Sequence, residues 1–489
     1  MRSVGTIFPP RLEDCPPGKA VSGSSRLRWR SLMVLGLAVA IAPAFLPLGS
    51  NAWAEDTKND RAVRLLTTVP IPGTAANTTG GKMYVFDISW VDEPTRAYFL
   101  ADRSNAVVDI VDTVTNTLML QLKGGFKGFT GSNNTSGPDG VATGAGHCLF
   151  VTDAPSRVVS FNLASFPPTL VSEVFTAKTS GVPDANRADE LAYDPVDSVI
   201  LAINNADDPP FGTFIKVNKT TCALTQPTAP PPGTTASDRI LFNAAGGVNA
   251  TNGAEQPQFD QNTGQFYLSI PQIGVNASSG GVVRIHPTTH KITKTYPIDF
   301  CSPAGLSQGP KNDFLVGCNT VFDTAGGLWT ATDANTAAPI QVILNVATGD
   351  TDVVAGVGVG DEVWYNKGDN NYYTASSTSP LRPLDLSGAA DAQGAAILGV
   401  IDAGDESVLQ LVPTFNVPAV TGTGAHPSSS AHSVAVDAKN NRIFVPLGAN
   451  NAYPNCSTGC IAVYWHGDEQ SQESSMRLSL SGTALPNPW

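Results

Sequence analysis

The chain has 489 residues, which allows two or three domains or one large all-β array. Charged residues make up 15% and apolar residues 42%, and this balance excludes a disordered chain and a coiled coil. The formal net charge is −13 and no basic run follows residue 30, so we expect no nucleic-acid partner, which would need a concentrated basic face.

The first 54 residues have the order of a secretory signal peptide. Three arginines precede an apolar run at 32–48, and the small-x-small sequence Ala52-Trp53-Ala54 follows it. The run is only about 17 residues long and contains two prolines, which disfavours a membrane anchor. We therefore predict cleavage after Ala54 and an exported product, periplasmic or secreted, without stable membrane insertion.

One two-strand phrase recurs seven times between residues 80 and 466, after a lead-in at 55–79. A polar or acidic pair opens the phrase, alternating apolar residues follow, and a turn leads to a second strand that ends in small polar residues. The copies start at Phe86, Pro138, Asp189, Gln256, Ser302, Asp361 and His432.

Many copies continue into a third and a fourth strand, as at 106–112 and 117–122. Four short antiparallel strands per repeat are typical of a propeller blade. We therefore predict an all-β fold, a seven-bladed β-propeller of four-stranded antiparallel blades at 80–466, followed by a C-terminal tail at 467–489. Two packed β-sandwiches are the alternative, but they would not require the same phrase seven times.

Six cysteines remain after cleavage of the signal, and an even number in an oxidising compartment predicts disulfides, although six cysteines allow 15 connectivities. One pair brackets a short turn, a second falls on two neighbouring predicted strands, and the third is what remains. Zinc binding is the alternative, but no second close Cys or His pair completes a four-ligand set. The expected pairs are Cys456–Cys460, Cys301–Cys318 and Cys148–Cys222.

Two copies resemble the repeats of known propeller families. Gly-Pro-Asp-Gly-Val-Ala at 137–142, with Leu-Phe-Val-Thr-Asp at 149–153, is similar to NHL repeats and to the gluconolactonase (senescence-marker) family. Ala-His-Ser-Val-Ala-Val-Asp at 431–437, with Asn-Arg-Ile-Phe-Val at 441–445, resembles the YVTN-type bacterial propellers. The gluconolactonase resemblance implies a divalent metal at the channel mouth, where it polarises a lactone carbonyl.

Superposition of the seven copies gathers an acidic set at one mouth of the channel. The innermost strand of each blade lines the channel, so the residues that open these strands meet although they are far apart in sequence. One register position holds Asp87, Gly140, Glu190, Gln256, Ala304, Glu362 and Ser433, and the preceding position holds Phe86, Asp139, Asp189, Glu255, Pro303, Asp361 and His432. Converging carboxylates bind a hard cation or raise one another's pKa.

We therefore predict that Asp139, Glu190 and Glu362 lie within one channel mouth, and they are the candidate metal ligands, with Asp87 as a further candidate. Asp139 matches the Asp-containing phrase of the gluconolactonase resemblance, whereas Glu190 and Glu362 follow from register alone. His432 is the candidate general base. The structural alternative is that these acids cap turns or bind backbone amides.

The function expected from these features is that of an exported, monomeric binding or interaction module for a small molecule or a protein. Calcium or another divalent cation at the channel mouth is the expected cofactor. The alternative is a metal-dependent hydrolase or lactonase that acts on a small molecule. Catalysis needs an acidic cluster beside an open pocket, whereas a binding module needs exposed loop tips, such as the long loops at 225–255 and 411–430 and the pair Trp465-His466.

Overall fold

The computed structural model describes residues 62–176, 185–228, 238–329, 340–379 and 395–466. The predicted signal peptide at 1–54 and the predicted tail at 467–489 lie outside these residues. Within them, seven antiparallel sheets of four strands each confirm the predicted seven-bladed β-propeller. Helix in the described part is limited to two 3₁₀ turns, Asn133–Thr135 and Ala244–Gly246, and no helix there is long and apolar enough to cross a membrane.

The strands follow one another along the chain, and the first strand of each blade lines the central channel. The first strand of the described residues is β1 (Arg64–Pro70). Blades 1 to 3 contain β2 (Ser89–Asp92), β3 (Ala97–Asp102), β4 (Val107–Asp112), β5 (Thr117–Leu122); β6 (Val141–Gly144), β7 (Cys148–Asp153), β8 (Arg157–Asn162), β9 (Thr169–Phe175); and β10 (Leu191–Asp194), β11 (Val199–Asn204), β12 (Phe211–Lys216), β13 (Arg239–Leu241). Blades 4 and 5 contain β14 (Pro257–Asp260), β15 (Gln265–Ile270), β16 (Ser279–His286), β17 (Lys291–Asp299); and β18 (Cys301–Gln308), β19 (Asp313–Val321), β20 (Ile340–Asn345), β21 (Thr351–Ala355). Blades 6 and 7 contain β22 (Gly360–Asn366), β23 (Asn371–Ser379), β24 (Ala395–Asp402), β25 (Val408–Pro413); and β26 (Ala435–Asp437), β27 (Arg442–Leu447), β28 (Cys460–Trp465).

Blade 7 is completed by a strand from the other end of the chain. Its sheet has the order β1-β28-β27-β26, and β1 pairs antiparallel with β28 from Arg64 opposite Trp465 to Pro70 opposite Cys460. The segment 55–79, predicted as a lead-in, therefore contributes a strand to the propeller. Backbone hydrogen bonds between the two ends of the described chain close the ring of blades.

The core lies between neighbouring blades. Every residue of β3 and β7 is buried, because each of these strands packs against the adjoining blade on both faces. Phe99 from blade 1 and Phe161 from blade 2 belong to one buried cluster, which also includes Val141 from an inner strand. Burying a side chain of this size stabilises the fold by roughly 1.5–3 kcal/mol. Inter-blade packing therefore holds the inner strands at fixed positions around the channel.

Three disulfides have the predicted pairing. Cys148–Cys222 joins blades 2 and 3 across 74 residues, with 5.5 Å between the Cα atoms. Cys301–Cys318 links β18 to β19, and Cys456–Cys460 closes a short turn before β28. Each of the six sulfurs is bonded to another sulfur, so none is free as a thiolate ligand for zinc.

Candidate functional site

A cavity of about 1080 Å³ lies at the mouth of the channel where the inner strands begin, and we call it the funnel. The register predicts a gathering of acidic side chains at this mouth. The carboxylates on the funnel wall are Asp87, Asp189, Glu190, Glu255, Asp361 and Glu362. Asp139, also predicted at this mouth, is fully buried directly behind the wall. Gly140 and Gln256 line a smaller cavity of about 280 Å³. Glu190 lines both this cavity and the funnel.

Backbone hydrogen bonds between neighbouring blades bring the starts of the inner strands together. Ile88 N–H donates to the Asp139 carbonyl (3.2 Å), and Gly140 N–H donates to the Asp189 carbonyl (3.1 Å). A Cβ at Gly140 would lie 2.6 Å from that carbonyl oxygen, so glycine permits this approach. The acids that precede the inner strands of blades 1, 2 and 3 consequently converge.

Three carboxylates and three cationic side chains form one network on this side of the funnel, and we call it the paired cluster. Its members are Asp87, Arg103, Asp139, Arg187, Asp189 and His432. They come from blades 1, 2, 3 and 7. With all six side chains ionised the paired cluster carries no net charge, although burial raises the pKa of Asp139 and of Asp189 above the usual value.

Two arginines hold the carboxylates of the paired cluster. Arg103, 2% exposed, donates from Nε to Asp139 Oδ1 at 2.7 Å, and its Nη2 contacts both Asp139 and Asp87. Arg187 binds Asp189 through two hydrogen bonds, from Nε at 2.9 Å and from Nη2 at 3.0 Å. Arg187 Nε also lies 3.6 Å from Asp139 Oδ1. Asp139 is therefore a partner of guanidinium groups in this structure.

The pKa values of Asp87 and His432 reflect their pairing. Burial alone would raise the pKa of Asp87, but the Arg103 charge and the His432 hydrogen bond lower it to about 2. Burial alone would lower the pKa of His432, but its bond to Asp87 and the Asp361 and Asp87 charges raise it to about 9. His432 Nδ1 lies 2.8 Å from the Ser430 carbonyl, and Nε2 lies 3.4 Å from Asp87 Oδ1. Both nitrogens face acceptors, so the ring is held as an imidazolium, a form that cannot accept a proton as a general base.

Four further carboxyl groups on the funnel wall, from blades 3, 4 and 6, form no ion pair among the described residues, and we call them the acidic cluster. They are Glu190, Glu255, Asp361 and Glu362. Of the described residues that line the funnel, the cationic ones are Arg103, Arg187 and His432, which all belong to the paired cluster. In its ionised form the acidic cluster therefore carries negative charge that no neighbouring cation on the described funnel wall compensates.

Burial and mutual repulsion raise the pKa values of the acidic cluster. Burial and the charges of Asp189 and Asp361 raise the pKa of Glu255 to about 8. Burial also raises the pKa of Glu362 to about 8, although Ser433 Oγ and Val434 N–H donate to its Oε2. The pKa of Glu190 is raised well above its usual value by burial and by neighbouring acids. Each group is destabilised in its ionised form, which a positive charge in the funnel would favour.

The distances between carboxylate oxygens differ between the two clusters, and this difference bears on which cluster could bind a metal ion. Among the described residues, the carboxylate oxygens that lie within 4.8 Å of one another in a group of three belong to Asp87, Asp139 and Asp189. Arginines already occupy that group, so a metal ion there would have to displace Arg103. The predicted ligands Glu190 and Glu362 belong to the wider acidic cluster, where only some of the carboxylates can reach one ion without movement.

The arginines were not predicted, although the sequence contains a signal for one of them. The second strand of each blade runs antiparallel to the inner strand, so its end also reaches the funnel. Arg103 directly follows β3, and Asn205, also on the funnel wall, directly follows β11. Asn204 Nδ2 donates to the Arg187 carbonyl at 3.0 Å and fixes the segment before β10. Polar residues at the ends of second strands therefore indicate wall positions.

The loop predicted at 411–430 forms part of the funnel rim. Val417 pairs with Ser429, and Val420 pairs with His426, through backbone hydrogen bonds. The His426 ring stacks on Tyr84 with 4.2 Å between ring centroids. Half-buried Phe129 and Phe415 line the funnel nearby. The rim thus adds apolar faces above the charged wall.

Trp465 and His466, also predicted as loop-tip material, end the third strand of blade 7. His466 Nδ1 lies 2.8 Å from Asp369 Oδ2, in the turn that follows the inner strand of blade 6. Inner strands begin at the funnel and end at the opposite face. His466 therefore lies at the face opposite the funnel.

No protein-family model and no curated protein matches this sequence. Among solved structures, 1189 chains match the fold. One of them is hydrazine synthase from Kuenenia stuttgartiensis, with a TM-score of 0.50 and 11% identity, covering 80% of this chain and 98% of that chain. At this identity the similarity supports the propeller fold alone. Membership of the YVTN, NHL or gluconolactonase propellers stays a prediction.

Proposed function

We propose that this propeller is a binding module that acts outside the cytoplasm and takes a positively charged ligand into its funnel. The observation that carries the proposal is the charge balance of the funnel wall. Three cationic side chains face three carboxylates in the paired cluster, and the acidic cluster adds four carboxyl groups. The three disulfides support an oxidising compartment, in agreement with the predicted signal peptide.

A cation would relieve the repulsion within the acidic cluster. Two unit charges 4 Å apart interact by about 4 kcal/mol at the effective dielectric constant near a protein surface. A divalent ion such as Ca²⁺ is the simplest candidate, because carboxylate oxygens are its preferred ligands. Glu190 and Glu362, with Glu255 added, are the residues that would supply them. Asp139 and Asp87 would contribute indirectly, since they hold Arg103 in place.

Metal-dependent hydrolysis of a small molecule is the second candidate function. The observation that favours it is the pair of carboxyl groups, Glu255 and Glu362, whose pKa values rise to about 8. A carboxylic acid that titrates near the working pH is suited to proton transfer. The imidazolium state of His432 favours binding over this alternative, because it leaves the predicted general base already protonated.

Thermal unfolding of the purified mature chain with Ca²⁺, Mg²⁺ or a small diamine, and with a chelator, tests the proposal. A ligand at 100 times its Kd stabilises the folded state by about 2.7 kcal/mol. We expect a rise in Tm with at least one cation, and its loss in a Glu190→Gln/Glu255→Gln double variant. The control is Glu173→Gln, which removes a carboxylate that is 51% exposed on an outer strand.

The outcomes separate the two functions. If no cation changes the Tm and the chelator has no effect, the proposal is wrong. If the metal-loaded protein hydrolyses a small lactone and the double variant does not, the hydrolase is the correct function.

A further inference from the structure

The smaller cavity, of about 280 Å³, runs along the channel from the funnel toward the opposite face. Its wall includes Gly140 and Gln256, which precede inner strands, and Pro195 and Gln261, which directly follow the inner strands β10 and β14. An inner strand of four residues is about 13 Å long, since each residue advances the chain by about 3.3 Å. The smaller cavity is therefore a narrow slot about as long as an inner strand.

The two cavities meet at Glu190. Ile88 and Glu190 line both of them, and Glu190 is half-buried. Of the described residues on the wall of the smaller cavity, Glu190 alone is charged. On the funnel side of this point, Glu255 and Asp361 are half-buried carboxyl groups with surface toward the funnel. Among the described wall residues, charge therefore ends at Glu190.

Below Glu190 the described wall is uncharged and partly aromatic. Trp90, Tyr193 and Phe259 line it, together with alanine and glutamine residues. Trp90 Nε1 already donates to Thr143 Oγ1 at 2.9 Å, so the polar atom of the indole is satisfied within the protein. A charged group that entered this slot would lose its hydration without meeting an opposite charge. An apolar group is instead stabilised by burial there.

We infer that the channel binds an organic ammonium ion with an unbranched apolar chain, the ammonium group in the funnel and the chain in the smaller cavity. This inference rests on the proposed function, because it names the ligand class of the same site. The ammonium group lies beside Glu255 and Asp361, whose surfaces are open to the funnel. The chain passes Glu190 and contacts the uncharged wall below it.

Other simple ligands use only part of this arrangement. A metal ion leaves the apolar wall of the smaller cavity uncovered, and a diamine that extends into the slot places its second charge there without a partner. An uncharged alcohol covers the apolar wall but leaves the carboxylates of the acidic cluster uncompensated.

Calorimetric titration of the mature chain with ethylamine, hexylamine, 1-hexanol and CaCl₂ tests the inference. The titrations are run at pH 8.5, above the Glu255 pKa of about 8, where both amines are still protonated. Each buried methylene group is worth about fourfold in affinity. Hexylamine has four more methylene groups than ethylamine, so we expect it to bind about a hundredfold more tightly. It should bind about tenfold more tightly than 1-hexanol, which lacks the charge.

Two variants separate the chain from the ammonium group. Gln258→Trp adds bulk to the wall of the smaller cavity without a change of charge, so it should lower the affinity for hexylamine to near that for ethylamine and spare ethylamine and Ca²⁺. Glu255→Gln removes a funnel carboxylate, so it should weaken both amines by the same factor. The matched control is Gln265→Trp, which lies at the start of β15, outside both cavities, and should change no affinity.

Gln258 is half-buried, so the melting curve of Gln258→Trp is recorded first. If this variant does not fold, Gln258→Phe replaces it, since the smaller ring still takes up part of the slot. It should weaken hexylamine about tenfold and spare ethylamine.

The outcomes distinguish the inference from the proposed function. Hexylamine that binds no more tightly than ethylamine or than 1-hexanol overturns the inference, and so does a hexylamine affinity that the folded Gln258 variant leaves unchanged. If ethylamine or Ca²⁺ still binds, the proposed function stands without the inference. If none of the four probes binds, both are wrong.

Discussion

Asp87 and Glu255 both stand just before an inner strand at the same mouth, yet the pKa of Asp87 falls to about 2 whereas that of Glu255 rises to about 8. Both carboxyl groups pay a desolvation cost, so burial does not explain the difference. Arg103 contacts Asp87, while acids surround Glu255. Position in the repeat therefore determines where a carboxyl group lies, and the ends of neighbouring strands determine its charge state.

The largest effect should come from removing a cation of the paired cluster. Arg103→Ala removes the guanidinium group that contacts both Asp139 and Asp87, and leaves Arg187 and His432 as their remaining, more distant cations. Breaking a buried pair costs about 3–5 kcal/mol. Urea denaturation measures the change in the free energy of unfolding. The control, Lys367→Ala, breaks an ion pair whose lysine is 70% exposed and should cost about 0.5 kcal/mol. Equal losses in the two variants would show that the paired cluster is not a stabilising network.

A smaller effect is expected from Asp87 at acid pH. Its folded pKa of about 2 lies below the ordinary 3.8, so the stability it contributes is present above pH 3.8 and lost as pH falls toward 2. Its contribution is about 2 kcal/mol. Asp87→Asn should therefore lose less stability than wild type between pH 4.5 and pH 2.5, as measured by urea unfolding at each pH. Parallel curves for the two proteins would contradict the assigned pairing.

The acidic cluster should respond at the other end of the pH range, and more weakly. The folded pKa of Glu255, about 8, lies above the ordinary 4.5, so its protonated form stabilises the fold at low pH and this stability is lost as pH rises through 8. Between pH 7 and pH 8, Glu255→Gln should flatten the decline by about 1 kcal/mol. His432 acts in the same direction, since its contribution is lost as pH rises through about 9.

The control for this loss of stability at high pH is Glu173→Gln, because Glu173 lies on an outer strand away from the funnel. Its unfolding curve should keep the wild-type slope. If Glu255→Gln keeps that slope too, Glu255 is ionised at neutral pH and the acidic cluster is better solvated than its burial indicates.

The sequence predicts the fold of this protein because each blade repeats its own local pattern. Alternating apolar and polar residues, separated by turns, define four strands within about 40 residues, and seven copies of this pattern define the ring. Even the degenerate fifth copy forms β18, with register shifts at Ser302 and Pro303. The strand β1 was missed because its partner β28 lies near the other end of the chain, and no local pattern indicates that pairing.

The site was predictable to a lesser extent. Register alone brings Glu190 and Glu362 to the funnel, because closure of the ring fixes the start of every inner strand. Register says nothing of ion pairs between segments. Arg103 reaches Asp139 across 36 residues of sequence, and its length and flexibility allow many other partners. The division of the mouth into two clusters therefore emerges only from the packed structure.

The pairing of β1 with β28 also has a consequence for biosynthesis. The first strand of the propeller leaves the ribosome almost 400 residues before its partner at Cys460–Trp465. Until then blade 7 does not exist, and an unpaired strand edge is a template for aggregation. Residues that face one another across the funnel likewise gain their final spacing only when the last strand docks. If the proposed function is correct, a nascent chain is therefore unable to bind a ligand in the funnel before the ring is fully synthesised and closed.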